Sequence, residues 1–540
     1  MPTLEWIGKE KVINHHQQVP YRVLEEKYTY NAEQSDNMII RGDNLEALKS
    51  LLPKYEGKIK CIYIDPPYNT GNEGWVYNDN VNDPKIKKWL GEVVGKEGED
   101  LSRHDKWLCM MYPRLKLLRK LLSQDGVIFI SIDANEKFYL KCLCDEIFGG
   151  RNFIADIAVI NNLKGRSDDK YIATAHESLL IYQNGEFITN GVEMPEEYDS
   201  EYKLSDENGR YRLQGLRKRG AGARREDRPN MWYPFFFCEN TQTLSVDYSP
   251  EAVEIYPHLS DGSDGRWRWG IETARQRINE LTVQLVKGRN EYDVFQKDYL
   301  PNDGVKRVKP KSFWMGTEFS AETGTLEVKS ILGKGVFETP KPVGIIEYCL
   351  QQATSKDSIV LDSFAGSGTT AHAVLEMNKI DDGKRRFILV EMMDYADSIT
   401  AQRVKCVIDG YGNGKNAVEG TGGSFTFYDL GEALLLPNGN LNENVSVDKI
   451  REYVYFMETK EPMTATSNGN PYFMGNSRDA AYYFYYEKDA ITTLDHDFLA
   501  TIPERAESYI IYADLCTIPA EELAKYNITF KKIPRDIAKL

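Results

Sequence analysis

The architecture of this 540-residue chain can be inferred from the stretch Ile59-Lys60-Cys61-Ile62-Tyr63-Ile64-Asp65-Pro66-Pro67-Tyr68. Its first six residues are rich in isoleucine and tyrosine and predict a buried β-strand over 59–64. Two consecutive prolines cannot continue a central strand or a helix interior, so the chain must turn out of the sheet after Ile64. In open α/β sheets, ligand sites lie at such strand ends.

Strands and helices alternate on both sides of this stretch. An apolar strand at 38–40 ends at Gly42-Asp43-Asn44, where Asp43 or Asn44 can cap the following helix. The sequence then predicts helix 107–122, strand 127–132, helix 135–148, strand 178–182, helix 341–353, strand 358–361, helix 368–377, strand 387–390 and helix 395–408. This alternation predicts an α/β fold with a mostly parallel, doubly wound, Rossmann-like sheet.

The α/β rhythm is interrupted once and ends before the C-terminus. Residues of the interrupting part are rich in Gly, Asp, Arg and aromatic side chains without a sustained period, and the last part has Tyr-rich alternating segments. We predict five regions: an N-terminal arm (1–36), the first half of the α/β domain (37–160), an insertion (161–330), the second half of the α/β domain (331–415), and a small α+β C-terminal domain (416–540).

The composition limits the class of protein. With 41% hydrophobic and 28% charged residues the chain is globular, and it contains no apolar run long enough for a membrane span and no secretion signal, so we expect a cytoplasmic protein. Cys142 and Cys144 are the only closely spaced cysteines, which predicts reduced thiols and no metal site. A net charge of −15 disfavours nucleic-acid binding, yet residues 211–228 hold seven basic and two acidic side chains, a local basic surface.

A glycine-rich loop follows the predicted strand 358–361. It reads Leu361-Asp362-Ser363-Phe364-Ala365-Gly366-Ser367-Gly368-Thr369-Thr370 and opens a helix, whose first N–H groups can face a ligand. The next strand ends at Glu391, where such folds bind two ribose hydroxyls. There is no G-x-x-x-x-G-K-[ST] motif, so the pattern favours a nucleoside ligand that is not held by a P-loop. A tight strand–helix turn without a ligand is the alternative.

The tetrapeptide Asp65-Pro66-Pro67-Tyr68 has the chemistry to activate an aromatic amine. Asp65 can accept one N–H of the amine and the Pro66 carbonyl the other, which would hold the nitrogen in line with a methyl sulfonium. Tyr68 can stack on a purine, and the prolines stiffen the turn. The alternative is a proline-rich strand exit with a capping Asp.

The D-P-P-Y tetrapeptide, the F-A-G-S-G loop and their order resemble β-class amino-methyltransferases of DNA, in which a catalytic half precedes a cofactor half and a target recognition domain lies between them. The chain is also similar, over nearly its whole length, to modification (Mod) subunits of Type III restriction–modification systems. The stretches that carry this second resemblance are 64–71, 107–116, 127–133, 264–269, 339–342 and 530–537.

The resemblance implies an S-adenosylmethionine-dependent enzyme that methylates the N6 amino group of a flipped-out adenine in double-stranded DNA. It places the catalytic pocket at Asp65, Pro66, Pro67 and Tyr68. It places the cofactor at Asp362, Phe364, Gly366, Ser367, Gly368 and Thr369, with Glu391 on the ribose and Asp43 at the adenine edge. It also implies a homodimer, and a restriction subunit that supplies helicase and nuclease activity, since neither is encoded here.

Within the insertion, the basic residues suit contacts to DNA phosphates or a guanine edge, although a solvated charged face is the common alternative. These residues are Arg217, Lys218, Arg219, Arg224 and Arg225. Trp267 and Trp269 are expected to be core residues, and His176-Glu177 to pack beside the pocket without binding metal.

Two rival functions remain open. Methyltransferases that act on the cytosine amino group usually have Ser in place of Asp65, and those that act on protein glutamine usually have Asn, so Asp favours adenine without excluding either acceptor. A non-catalytic DNA-binding specificity subunit could keep the fold, but the intact tetrapeptide and glycine loop favour catalysis. The length of 540 residues is short for a Type III Mod subunit, which predicts a trimmed recognition region or tail.

Overall fold

The computed structural model of the protein describes residues 3–70, 103–165, 169–194, 196–301, 305–463, 469–503 and 505–537. The chain forms two compact units. The first unit combines Met1–Asn190 with Pro310–Leu540, and the second unit is Gly191–Lys309.

The elements are numbered along the chain. Up to Asn190 they are strands β1 (Arg22–Tyr30), β2 (Met38–Arg41), β3 (Ile59–Ile64), β4 (Leu122–Ile132), β5 (Phe153–Ile160) and β6 (His176–Gln183), and helices α1 (Lys9–Val12), α2 (His15–Gln18), α3 (Asn44–Tyr55), α4 (Arg103–Leu121) and α5 (Lys137–Cys144). The second unit contains β7 (Val192–Glu193), β8 (Leu204–Asp206), β9 (Gly209–Gly215), β10 (Phe235–Cys238), β11 (Thr243–Ser245), β12 (Val253–Ile255), α6 (Ile271–Gln276), β13 (Leu281–Val286), β14 (Glu291–Tyr299) and β15 (Arg307–Val308).

The first unit resumes with β16 (Phe313–Trp314), α7 (Ala321–Leu332), α8 (Val343–Ala353), β17 (Ile359–Asp362), α9 (Thr369–Asp381), β18 (Arg386–Glu391), α10 (Gln402–Asp409), β19 (Gly410–Tyr411), β20 (Val418–Glu419) and β21 (Phe425–Ala433). Its C-terminal part contains α11 (Val447–Thr459), β22 (Phe473–Ser477), β23 (Ala480–Phe484), β24 (Thr493–Leu494), α12 (His496–Ala500), β25 (Ser508–Ala513), β26 (Leu515–Cys516), α13 (Ala520–Lys525) and β27 (Ile528–Lys532). None of these helices has the length and apolarity needed to cross a membrane.

The main sheet has ten strands in the order β1-β21-β2-β18-β17-β3-β4-β6-β5-β16. The six strands from β21 to β4 are mutually parallel, whereas β1 and β6 run antiparallel to their neighbours. From β3 the chain moves outward to β4, and from β17 it moves the other way to β18. The sheet is therefore doubly wound, as predicted, and its topological switch point lies between β3 and β17.

Side-chain alternation builds a core on each face of this sheet. On β3, Ile62 and Ile64 pack with helices α3, α4 and α5, whereas Cys61 and Tyr63 pack with α8, α9 and α10. Because both faces are covered, the central strands are apolar almost throughout, as is usual for parallel sheets. The buried strands β3 and β17 thereby hold the loops that follow them.

The regions differ in extent from the predicted ones. The second unit is shorter than the predicted insertion 161–330, because β6 pairs with β4 and β5, and β16 pairs with β5, inside the main sheet. The predicted arm 1–36 contains β1, which pairs with β21, so part of 416–540 also belongs to this sheet. Beyond it, β22, β23, β25 and β27 form a separate four-stranded sheet.

The second unit has its own core and two larger sheets, β13-β14-β9-β8 and β11-β10-β12. Trp267 lies at the centre of this core with its side chain fully buried, and its indole donates a hydrogen bond to the Tyr233 carbonyl at 2.8 Å. Trp269 packs against the same core. Trp267 is thus a core residue, and Trp269 is a partly buried residue that supports the core, in agreement with the expected structural roles.

Candidate active site

Two loops meet at the switch point of the main sheet. Strand β3 leads into Asp65-Pro66-Pro67-Tyr68, and its parallel neighbour β17 leads into the glycine loop. Since parallel strands end at the same edge, both loops border one cleft. A third segment, just before α8, completes the lining. The residues around the cleft are Tyr63, Asp65, Phe337, Thr339, Pro340, Lys341, Asp362, Phe364, Ala365, Gly366, Ser367, Thr369 and Thr370.

The tetrapeptide side chains join a buried charged cluster. The Lys341 Nζ lies 3.4 Å from Asp65 Oδ1 and donates to both oxygens of Glu177, at 2.7 and 2.8 Å. The same ammonium donates to the Tyr68 hydroxyl at 2.5 Å, and that hydroxyl donates to Glu177 Oε2 at 2.9 Å. We refer to Asp65, Tyr68, Glu177 and Lys341 as the Asp65 cluster.

Burial and neighbouring charges together set the pKa values of Asp65 and Lys341. Burial raises the pKa of Asp65 to about 6; the Lys341 ammonium acts in the opposite direction, and the Glu177 carboxylate adds to the rise. Burial alone would lower the pKa of Lys341, but Asp65 and Glu177 outweigh it and raise that pKa. Asp65 is therefore mainly a carboxylate at neutral pH, which is the form that accepts an N–H bond.

The backbone of the tetrapeptide is anchored to α4. The buried Trp107 indole donates to the Pro67 carbonyl at 2.7 Å, and Pro66 and Pro67 are themselves buried. The next residue, Asn69, has a left-handed φ of 55° and donates to the fully buried Glu136. Glu136 Oε1 also contacts His104 Nδ1 at 2.7 Å. The turn is thus held on both sides of Tyr68.

The side chains of Asp362 and Glu391 hold the glycine loop through hydrogen bonds. Asp362 Oδ1 accepts from Phe364 N at 3.0 Å, and its Oδ2 accepts from the Thr370 hydroxyl at 2.6 Å. Glu391, at the end of β18, accepts from Gly366 N at 2.8 Å. Gly366 and Gly368 have φ values of 52° and 84°, in the region that favours glycine. At Gly368 a Cβ would also come within 3.2 Å of the Thr400 carbonyl.

Both of these carboxyl groups hold protons more tightly than usual. Burial raises the pKa of Asp362 to about 7, and Asp65 adds to the rise. Burial also raises the pKa of Glu391 to about 7, against the hydrogen bonds from Met393 N and Gly366 N. Together with Asp65, they are three buried carboxyl groups in or beside the cleft, and a cationic ligand would stabilise their ionised forms.

Ser367 and Thr369 are held by an arginine. The fully buried Arg403 Nη1 donates to the Ser367 hydroxyl at 2.7 Å and to the Thr369 hydroxyl at 2.8 Å. Arg403 Nη2 donates to His372 Nδ1 at 3.1 Å, which leaves the His372 proton on Nε2, facing Glu376. These two hydroxyls therefore serve the shape of the loop.

Asp43 caps helix α3, which settles the choice between Asp43 and Asn44. Its Oδ1 accepts from Leu45 N at 2.8 Å, and its Oδ2 accepts from Arg114 at 3.2 Å. Asn44 instead donates to the Ser363 carbonyl at 2.9 Å and so joins this turn to the glycine loop. Asp43 thus stands beside the loop, at the same edge of the sheet as Glu391.

Sequence reasoning missed several residues of the site. The sequence places Lys341 in predicted helix 341–353 and the resembling stretch 339–342, Trp107 in helix 107–122 and the stretch 107–116, and Arg403 in helix 395–408, but it assigns none of them a role in the site. Glu177 was expected beside the pocket, but its contacts with Tyr68 and Lys341 were not. For Glu177, the available signal is a charged residue directly before the predicted strand 178–182. In the described parts of the chain, no group of three His, Cys, Asp or Glu side chains could hold a metal ion.

The five basic residues predicted to contact DNA all lie in or beside loops of the second unit, in different settings. Arg217 donates to the His258 carbonyl and lies 3.6 Å from Asp293, with only 12% of its side chain exposed. Arg225 stacks 3.8 Å above Trp232 and pairs with Asp264. Arg219 and Arg224 are exposed, and Lys218 is half-buried.

Comparison with known proteins adds an independent finding. The profile of the family described as DNA methylase matches residues 59–402, well over half of the chain. The chain is 38% identical over 418 residues to the Type III restriction-modification enzyme EcoPI Mod subunit of Escherichia phage P1. This alignment covers 72% of this chain and 63% of that subunit. It is 36% identical over 374 residues to the Type II methyltransferase M.KpnI of Klebsiella pneumoniae, which covers 67% of this chain and 84% of that enzyme.

Among solved structures, PvuII DNA methyltransferase (cytosine-N4-specific) aligns with a TM-score of 0.35 and 13% identity, covering 71% of this chain and 89% of that one. The chain spans less than two thirds of the EcoPI Mod subunit, at 63%, but most of M.KpnI, at 84%. Because the family profile matches most of the chain and M.KpnI is 36% identical over most of its length, the chain belongs to the DNA methylase family.

Proposed function

We propose that this protein is an S-adenosylmethionine-dependent DNA methyltransferase that acts on the N6 amino group of adenine. One observation carries the proposal: Asp65 after β3 and the glycine loop after β17 border the same cleft at the switch point of the sheet. An amine acceptor and a methyl donor must meet in such a place. Membership of the DNA methylase family supports the same reaction.

The donor side suits S-adenosylmethionine. The bound cofactor would supply an electrophilic methyl group on a sulfonium. Glu391 would accept from the ribose hydroxyls, Asp43 would face the adenine edge, and Asp362, Phe364 and the loop from Gly366 to Thr369 would line the rest of the site. The buried carboxyl groups of Asp65, Asp362 and Glu391 fit this ligand because its sulfonium is cationic. Asp362 and Glu391, whose pKa values are raised to about 7, would lose protons on binding.

The acceptor side suits an aromatic amine. Asp65 and the Pro66 carbonyl would each accept one N–H and so orient the nitrogen lone pair toward the methyl group. Tyr68, held by Lys341 and Glu177, would stack on the base. The target base has to leave the duplex to reach a cleft at the end of a buried strand. An Asp at this position favours adenine over cytosine.

The second unit is proposed to contact the DNA. Arg219 and Arg224 are exposed and Lys218 is half-buried, so these three side chains are suited to phosphate contacts. Arg217 and Arg225 already pair with carboxylates of the same unit, so we propose that they support the fold of this region more than they contact DNA.

We propose further that the chain is the Mod component of a Type III system, active as a homodimer with a restriction subunit. The support is the 38% identity to the EcoPI Mod subunit. Sedimentation of the purified chain tests the dimer, and ATP-dependent cleavage of unmethylated DNA by the complex purified from native cells tests the restriction subunit. A methylating monomer without associated cleavage would overturn both assignments and favour a methyltransferase that acts alone.

The enzymatic proposal is tested by incubating the protein with tritiated S-adenosylmethionine and mixed unmethylated DNA, then sequencing for modified bases. Asp65→Ala is the inactive variant, and Asp489→Ala, at an exposed position, is its matched control. Methyl-adenine in one short sequence context, absent only with Asp65→Ala, is the expected result. Methyl-cytosine would overturn the acceptor. Cofactor binding without label in DNA would overturn the substrate if the complex purified from native cells also leaves DNA unlabelled, and would show that a partner subunit is required if that complex labels it.

A further inference from the structure

Lys341 contacts both sides of the cleft. Its backbone carbonyl accepts from the Thr369 hydroxyl at 3.2 Å, on the donor side. Its Nζ reaches Glu177 and Tyr68 directly and lies 3.4 Å from Asp65, on the acceptor side. In the first unit, therefore, a single residue links the end of the glycine loop to the catalytic tetrapeptide.

We infer that Lys341 and Glu177 act as a positioning pair for methyl transfer: they orient Tyr68 and keep Asp65 in its acceptor form. This inference rests on the proposed function and deepens it. Neither residue is required to touch the cofactor or the base. Their effect on the reaction is exerted through Asp65 and Tyr68.

The hydrogen bonds define how Tyr68 is held. Its hydroxyl oxygen accepts from the Lys341 ammonium and its O–H group donates to Glu177, and Asp65 is a further hydrogen-bonding neighbour of the same hydroxyl. A phenol with two partners from different segments has a fixed orientation, and the Lys341 Nζ also lies 4.9 Å from the Tyr68 ring centre. The face of the ring offered to a stacked base is thereby set before the base arrives.

The charges define how Asp65 is kept ionised. The charged and titratable groups that act on it are Lys341 before α8, Glu177 on β6, Asp362 on β17, and Tyr63 and Tyr68 on its own segment. Of these, Lys341 is the cation. Its contact with Asp65, at 3.4 Å, is longer than its contact with Glu177, at 2.7 Å, so it acts on Asp65 mainly through its field.

Stability is a weak reason for such a pair. The side chains of Lys341 and Glu177 are 15% and 7% exposed, and at that depth desolvation cancels much of the attraction between two charges. A neutral pair of similar shape often serves the fold equally well. This difference separates a positioning role from a merely structural one.

The experiment uses the full chain and three variants: Lys341→Met, Glu177→Gln and the double variant. Lys334→Met, at an exposed position in the same connecting segment, is the control. For Lys341→Met we expect kcat to fall roughly tenfold to hundredfold, with the Kd for S-adenosylmethionine changed less than about threefold. The acid limb of the kcat profile moves to higher pH in Lys341→Met and to lower pH in Glu177→Gln, because the two charges act on Asp65 in opposite directions.

The double variant provides the decisive comparison. It removes one positive and one negative charge together, so the cluster keeps its wild-type net charge with Asp65 as the remaining carboxylate. Its free energy of unfolding therefore returns toward the wild-type value, whereas its kcat stays low. Recovery of kcat together with stability would overturn the inference and make the pair structural only. So would acid limbs that move in the same direction in both single variants.

A second measurement does not depend on turnover. Infrared difference spectra of each protein against its Asp65→Asn counterpart report the titration of the Asp65 carboxyl group. The midpoint is expected to rise in Lys341→Met and to fall in Glu177→Gln. If the wild type methylates no DNA, the proposed function fails, while an unmoved midpoint overturns the positioning pair independently of that result.

Discussion

Glu391 accepts a hydrogen bond from Gly366 N at 2.8 Å, so the end of β18 holds the glycine loop that follows β17. Its other oxygen accepts from Met393 N at 3.0 Å. Both carboxylate oxygens are thus occupied by backbone N–H groups. A residue proposed to bind the ribose therefore also shapes the loop on which the cofactor would rest.

Glu391→Gln is expected to weaken cofactor binding. A glutamine has one acceptor oxygen, so its amide NH₂ would face either Gly366 N or Met393 N, and one of these donors would lose its partner. We expect the Kd for S-adenosylmethionine to rise about tenfold, equivalent to ~1.4 kcal/mol, in calorimetric titrations. Glu338→Gln, at an exposed position, should bind as the wild type does. Unchanged binding by Glu391→Gln would contradict the assignment of this residue.

The protonation of Asp362 predicts a pH-dependent stability. Burial raises its pKa to about 7 in the folded chain, so between about pH 4 and pH 7 the folded state binds more protons than the unfolded state. The contribution of this group to the free energy of unfolding is therefore greatest at the acid end of that window and declines as the pH rises. Asp362→Asn removes the titration.

The measurement is the Tm of wild type and Asp362→Asn from pH 5 to pH 8, without cofactor. We expect the Tm of the variant to rise relative to wild type as the pH increases, whatever the constant offset from the altered hydrogen bonds. Asp489→Asn, at an exposed position, should follow the wild type at every pH. Parallel curves for wild type and Asp362→Asn would show that Asp362 is ionised throughout.

Local motifs allowed much of this site to be predicted. Strand β3 coincides with the predicted 59–64, because an apolar run that ends in two prolines leaves little choice of boundary. The glycine loop could be recognised because its left-handed φ values at Gly366 and Gly368 require glycine. Parallel pairing of the two strands then follows from the strand–helix alternation.

Long-range pairing could not be predicted in the same way. Lys341 and Tyr68 are 273 positions apart, and no local pattern indicates that their side chains touch. Residues 1–36 predict an arm because they are polar, dotted with aromatic residues and without a clear period. In the structure, the middle residues of β1, Glu25, Glu26 and Lys27, are exposed. Strand β1 lies at the edge of the sheet, where no further strand of the described residues pairs with it, and charged residues are common on such strands. The limits of the second unit depend on β6 and β16, whose partners are likewise set by the folded sheet.

Trp107→Phe tests the anchoring of the tetrapeptide. Phenylalanine keeps most of the packing but removes the donor to the Pro67 carbonyl, and a buried acceptor without a partner costs about 1–3 kcal/mol. We expect the free energy of unfolding, measured with urea, to fall by this amount. We also expect kcat to fall roughly tenfold, because the turn that carries Asp65 and Tyr68 becomes less rigid.

The matched control is Trp314→Phe, another buried tryptophan whose indole donates to a backbone carbonyl, that of Lys311 at 3.2 Å. Trp314 lies on the edge strand β16, so its loss should lower stability and leave kcat unchanged. An equal fall in kcat for both variants would mean that Trp107 acts through general stability.

Arg217 and Arg219 are two positions apart in the second unit and are expected to differ in what they do. Arg217 donates to the His258 carbonyl and faces Asp293, so Arg217→Ala removes partners inside the unit and should cost about 1–3 kcal/mol of stability. Arg219 is exposed, so Arg219→Ala should leave the Tm unchanged and weaken binding to duplex DNA. If it contacts one phosphate, the slope of log Kd against log salt should become shallower by about one. Fluorescence anisotropy with a labelled duplex at several salt concentrations measures this slope, and a salt slope that Arg219→Ala leaves unaltered would exclude the phosphate contact.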